Sequence, residues 1–194
     1  MKLWTIQTDS VWKQLLKVGT ISGSAKYVDP TWLNAYKWLI QQMELTIGKK
    51  NEMFFKNAEV FPIWAWYQWA DEKHKKPDLR SPGHLNRAEK GVRIECEIPD
   101  SDVLLSDFHL WHYVLNYWYL NLNEQEAEAF ERDLAKQNLS FYTMKPLPNL
   151  NFHHQIVESW QQIFTITTDS TMIQATFWEL PLSAVKNVKP FKAK

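Results

Sequence analysis

Val92-Arg93-Ile94-Glu95-Cys96-Glu97-Ile98, closed by Pro99-Asp100, alternates apolar and charged residues with a period of two. That period puts Val92, Ile94, Cys96 and Ile98 on one side of an extended chain and Arg93, Glu95 and Glu97 on the other, so the stretch predicts a half-buried strand with Cys96 facing the core. Toward the N-terminus, Leu3-Trp4-Thr5-Ile6-Gln7 predicts a first strand. Asp9 then reads as the N-cap of a helix carrying Trp12, Leu15 and Leu16 and stopped by Gly19. Asp29-Pro30 supplies a cap and an N1 proline for a long helix ending at Gly48. Phe61 to Trp69 is aromatic and β-branched, with Pro62 at its start, and predicts a strand buried on both faces. Asp71 to Lys90 carries charges, two prolines and Gly83 and reads as a long exposed loop.

Toward the C-terminus, a short apolar piece, Val103 to Leu105, precedes a helical face of Trp111, Val114, Leu115 and Trp118. A second helix is opened by Asn123, with Glu126 three residues later, and carries Ala127, Phe130 and Leu134. The proline-bearing connection Lys145 to Asn149 leads to a helix with Ile156, Trp160 and Ile163, and the chain finishes in two strands, Met172 to Leu180 and Val185 to Phe191. Strands at both ends and in the middle, with helices bunched between them, predict one α+β domain over residues 1–194 with a mixed or antiparallel sheet and a helical cluster.

Composition narrows the function classes. The 194 residues carry 22 Lys and Arg against 22 Asp and Glu, which argues against a strongly basic nucleic-acid module, and no duplex nucleic-acid partner is expected. The 11 Trp, 7 Tyr and 10 Phe supply a large core, since each ring buries on the order of 150–250 Å². One cysteine forms no internal disulfide, and the first residues lack the apolar run of a signal peptide, so the expected location is cytoplasmic. The longest charge-free apolar stretch, Phe108 to Asn123, is interrupted by His109, His112, Asn116 and Asn121 and falls short of the roughly 20 residues of a membrane span. No membrane partner is expected.

Among chemical motifs, the five glycines form neither a P-loop nor a dinucleotide-fold turn. Cys96, mid-strand without an adjacent base, reads as a core thiol rather than a nucleophile. His109 and His112, following Asp107, are spaced i, i+3 and offer two ligands to one ion, but no third is defined and His153-His154 diverge on a helix. Capping or interfacial histidines are the competing reading, and no metal is expected. Trp64-Ala65-Trp66-Tyr67-Gln68-Trp69 runs into Lys73, His74, Lys75, Lys76, Arg80, His84 and Arg87. Aromatics stack bases and cations neutralise phosphate, while Asp71, Glu72, Asp78 and Glu89 interleave; a small phosphorylated ligand fits this better than a polymer, and a solvated loop fits it equally. In Gln174-Ala175-Thr176-Phe177-Trp178-Glu179, the alternation sets Glu179 on the face of Ile173, Ala175 and Phe177. A carboxylate ending an apolar row is paired, exposed at the strand end, or used in a pocket.

Leu3 to Thr8, Pro62 to Trp69 with Lys76-Pro77-Asp78-Leu79-Arg80, Val103 to Phe108 with Trp111 to Asn116, and Gln174 to Leu180 together resemble family 3841 of bacterial domains of unknown function, over nearly the whole chain. A second resemblance concerns arrangement. ADP-ribosyltransferase-like domains carry an aromatic, His or Arg on an early strand, Ser or Tyr on a middle strand and Glu on a late one; Trp4, the strand around Trp66 and Tyr67, and Glu179 occupy comparable places. That resemblance implies NAD as cofactor, with Glu179 and Gln174 as catalytic residues and Trp4, Gln7, Trp66, Tyr67 and Arg80 holding the dinucleotide. The glutamate would hold a ribose hydroxyl as nicotinamide leaves. Trp4 departs from the usual His or Arg. The competing reading is a non-enzymatic domain that takes a small ligand or a protein partner. The two differ in geometry, since the transferase-like pocket requires Trp4, Tyr67 and Glu179 to converge.

Overall fold

A computed structural model describes residues 1–48, 60–70, 73–121, 123–140, 142 and 144–194; Asp71 and Glu72 of the predicted loop lie outside them. The fold is mixed α+β and divides into two compact units, residues 1–105 with 167–194, and residues 106–166.

The first unit is organised on a six-stranded sheet, one edge strand of which runs on past Leu105. Its strands are β1 (Lys2–Thr8), β5 (Ile63–Gln68), β6 (Lys90–Glu97), β7 (Leu104–Asp107), β8 (Ile173–Phe177) and β10 (Val185–Lys192), in the order β10-β6-β1-β5-β8-β7. The pairings of β1 with β5 and β6, of β6 with β10, and of β5 with β8 are all antiparallel. The period-two stretch is β6, and its apolar residues Val92, Ile94 and Cys96 join Leu3, Ala65, Ala175 and Phe177 in the core. Fully burying each Leu, Ile, Val or Phe contributes about 1.5–3 kcal/mol. Helix α1 (Asp9–Val18) lays Leu15 into this core, while Leu16 stays half exposed. Its N-cap is Thr8, one residue before the predicted Asp9: the Thr8 hydroxyl accepts from Val11 N, and Asp9 sits inside the first turn, where a carboxylate suits the helix dipole. Gly19 ends it in the left-handed region at φ 79°.

Asp29 caps a 3₁₀ turn, Pro30–Trp32, which runs into α2 (Leu33–Thr46). The predicted strand Phe61 to Trp69 is divided. Pro62 has no N–H to continue a ladder, so Val60–Phe61 (β4) pairs with Gly23–Ser24 (β3) and only Ile63–Gln68 enters the large sheet. Gly23 is required there because a Cβ would collide with the carbonyl oxygen of Pro62. Ile63, Ala65 and Gln68 of this strand are buried, and Trp64, Trp66 and Tyr67 are partly buried. The predicted final strand Met172 to Leu180 is divided as well: β8 stops at Phe177, and Leu180–Pro181 (β9) pairs with Thr20–Ile21 (β2), so Trp178 and Glu179 lie in the turn between.

The second unit is helical. Asp107 caps α3 (Phe108–Asn116), Asn123 caps α4 (Glu124–Lys136) and Asn149 caps α5 (Leu150–Ser159), which continues as a 3₁₀ turn to Phe164. Tyr117, at φ 59°, ends α3 and leaves Trp118 outside the helix that was predicted to hold it. The Trp118 carbonyl instead accepts from Trp160 Nε1 at 2.8 Å, and Ser159 Oγ accepts from Leu120 N at 2.9 Å. No described helix is long and apolar enough to cross a membrane.

Candidate functional site

Register decides which of the singled-out residues meet. Glu95, Trp4, Trp66 and Gln174 are successive Cα partners across β6, β1, β5 and β8 and form one row on the face opposite Cys96. In this row Trp4 is 4% exposed and its Nε1–H donates to Glu95 Oε2 at 3.0 Å, while Lys2 Nζ lies 3.3 Å from Glu95 Oε1. The Trp4 hydrogen bond, with Lys2 beside it, holds the Glu95 carboxyl below the usual range against its partial desolvation. Trp66 meets Trp69 edge to face at 4.6 Å, and Trp69 packs on His84 at 5.0 Å. Arg93 Nη1 donates to Pro77 O at 2.6 Å, so the 73–89 segment is fastened to β6. Gln174 Oε1 ends the row buried with no hydrogen-bond partner among the described residues.

Four other candidates stand elsewhere. Tyr67 sits where a bulge shifts the β5–β8 register; its ring packs on the core cluster and its hydroxyl meets His74 Nε2 at 2.9 Å. Arg80 is exposed and doubly bonded to Asp78, at 2.8 Å between Nη2 and Oδ2, which leaves its guanidinium already matched. Gln7 donates to Thr5 Oγ1 at 2.7 Å and lines a cavity of about 450 Å³ with Tyr36 and Trp64 among its walls. Glu179 lines a different cavity, of about 320 Å³. Neither cavity is lined by Trp4 or Tyr67, so Trp4, Tyr67 and Glu179 share neither of them. His112 Nδ1 is 2.9 Å from the Phe108 carbonyl, one turn back within α3, whose caps are Asp107 and Tyr117.

Residues 2–186 match the family described as Domain of unknown function (DUF3841). The chain belongs to that family. Every string that carried the resemblance lies inside the match, and the Trp-bearing row is therefore a property of the DUF3841 region of the chain. No curated protein and no solved structure matches it.

Within the DUF3841 region the Glu179 cavity has a one-sided charge among its described lining residues. Its apolar wall is Ile47, Phe177, Trp178, Pro181 and Ala184, and Trp178 is held by donating Nε1–H to Gly48 O at 2.9 Å. Its carboxylates are Glu97, Asp102 and Glu179, and no lysine or arginine is among the described residues that line it. Glu97 has Lys186 at 3.2 Å and Asp102 accepts from Ser101 Oγ at 2.9 Å. Glu179 Oε1 is buried without a partner among the described residues, and burial pushes its pKa up. Sequence reasoning singled out Glu179 but not Glu97, which the strand alternation turned outward as an ordinary solvent-facing charge, nor Asp102, in a 3₁₀ turn of Asp-Ser-Asp whose pattern is that of any surface loop.

Proposed function

We propose that this domain binds a small ligand bearing an ammonium or other strong hydrogen-bond donor in the Glu179 cavity, as a binding protein rather than a transferase. The observation that carries the reading is the buried Glu179 oxygen without a partner among the described residues, in a cavity whose other charged groups, among those residues, are also carboxylates. A buried acceptor left empty costs about 1–3 kcal/mol, which a donor group on a ligand restores. Charge selects the ligand class. Two unit charges 4 Å apart near a protein surface interact by about 4 kcal/mol, attractive for an ammonium and repulsive for each phosphate of a dinucleotide. The apolar wall suits a short hydrocarbon stem behind the ammonium, so an alkylamine or diamine is the ligand class.

The test is a thermal-shift panel of butylamine, putrescine, NAD and ADP-ribose on the wild type and on Glu179→Gln. A ligand at 100 times its Kd stabilises the native state by about 2.7 kcal/mol. The amines are expected to raise the Tm of the wild type and to lose that effect in Glu179→Gln. A shift with NAD or ADP-ribose alone, lost in the same variant, would overturn the amine reading in favour of the transferase-like one, in which Glu179 holds a ribose hydroxyl.

A further inference from the structure

The helical unit holds a second cavity, of about 270 Å³, built almost entirely from aromatic rings: Tyr113, Trp118, Tyr119, Phe130 and Tyr142. Tyr113 and Trp118 meet at right angles, with centroids 5.8 Å apart and planes at 85°, because the left-handed Tyr117 turns the chain back at the end of α3. Tyr119 stacks on Phe130 at 4.1 Å and 12°, and Phe130 is braced edge-on by Phe152 at 5.7 Å. On α4, Ala127, Phe130 and Glu131 are spaced i, i+3, i+4 and share one face. The alanine leaves the space that a larger residue would fill, and the exposed Glu131 carboxylate stands at the edge.

Glu131 is the one charged residue among the described residues that line this cavity, and the unit around it is acidic on balance. Residues 106–166 carry seven carboxylates against three lysines and arginines. The two cations of α4 are already engaged, Arg132 with Glu128 at 3.3 Å and Lys136 with Asp133 at 2.7 Å. Aromatic faces are electron-rich, so walls of this composition attract a cation and most of all one whose alkyl groups are poorly hydrated. The cavity is at the small end of ligand sites, too small for a nucleotide and suited to a compact head group. We propose that it is an aromatic cage for a small N-alkylated ammonium ligand of the choline type, with Trp118, Tyr113 and the Tyr119–Phe130 stack as walls and Glu131 as the neutralising rim charge.

Calorimetric titration of the full chain with choline tests this, repeated in Glu179→Gln so that binding at the first-unit cavity is separated from binding here. Choline is expected to bind saturably in both backgrounds. Its uncharged isostere 3,3-dimethylbutanol is expected to bind about tenfold more weakly, and glycine betaine, whose carboxylate meets Glu131, more weakly than choline. Ala127→Leu should fill the cavity and abolish binding without lowering the Tm; Trp118→Leu, which keeps an apolar side chain but removes the ring, should abolish it with the helical circular dichroism unchanged. The proposal is overturned by any of three results: no saturable heat from choline, equal affinity for the uncharged isostere, or choline affinity unchanged in Ala127→Leu.

Discussion

Glu95 and Glu179 are the same residue in opposite circumstances. Glu95 reaches the Trp4 indole N–H and the Lys2 ammonium, and its carboxyl is held below the usual range. Glu179 reaches no hydrogen-bond partner for its buried oxygen among the described residues, and burial raises its pKa. Stability and function part company at this difference. The sheet completes the first carboxylate and so turns the Trp-bearing row into structure. The turn between β8 and β9 leaves the second incomplete, as a site waiting for a donor would be.

Removing the partner of Glu95 breaks the comparison most severely. Trp4→Ala takes a nearly buried ring out of the sheet and is expected to cost about 3–5 kcal/mol, read by urea unfolding. Trp4→Phe keeps most of the ring but removes the donor. Its expected cost is about 1.5–3 kcal/mol, toward the lower end because water reaches the glutamate, and the part of the stability lost on acidification through the Glu95 range should be smaller in that variant than in the wild type.

The pH dependences of the two glutamates have opposite signs. A lowered folded-state pKa means that Glu95 contributes stability above its unfolded pKa, and loses it as the pH falls through the folded value. A raised one means that Glu179 carries its penalty at neutral pH, and sheds it as the pH falls through the folded value toward the unfolded one. Glu179→Gln is therefore expected to melt above the wild type at pH 7, with the gap closing as the pH is lowered to the carboxylate range. A variant that melts at or below the wild type at pH 7 would mean that the carboxylate is satisfied in solution. The smallest change is Lys2→Ala, which removes a half-exposed ion pair and should cost less than about 1 kcal/mol, less still in high salt.

Cys96 extends the contrast to the opposite face of the sheet. Burial, with Glu95 adding to it, pushes its thiol up to about 12, so a disulfide reagent is expected to modify it only on unfolding.

Elements with a local cause were legible in the sequence. The alternation of β6 is written in adjacent residues, as are the Asn123 cap of α4 and the Gly19 stop of α1. Errors came where a distant strand competed for the chain. Phe61 to Trp69 and Met172 to Leu180 are each continuous as patterns, yet each is divided because one end pairs with a short strand of the 20–24 segment and the other with the large sheet. Glu179 was legible as a carboxylate out of place, but its setting was not: once β8 stops at Phe177, the residue belongs to a turn and its neighbours become Glu97 and Asp102. The aromatic cage was invisible for a related reason, since Trp118 read as helical core until the left-handed Tyr117 is seen.

By itself the sequence determined the α+β class, the strand that carries the core, the helix caps and the family, because period, capping and motif strings depend on neighbours a few residues apart. Only the tertiary structure decided which glutamate is complete. The donor that satisfies Glu95 comes from a tryptophan 91 positions away, and the composition contains equal numbers of acids and bases without saying which ones meet. Pairing of that kind is fixed by register and by which segments can close over one another, and a chain of local patterns does not encode it residue by residue.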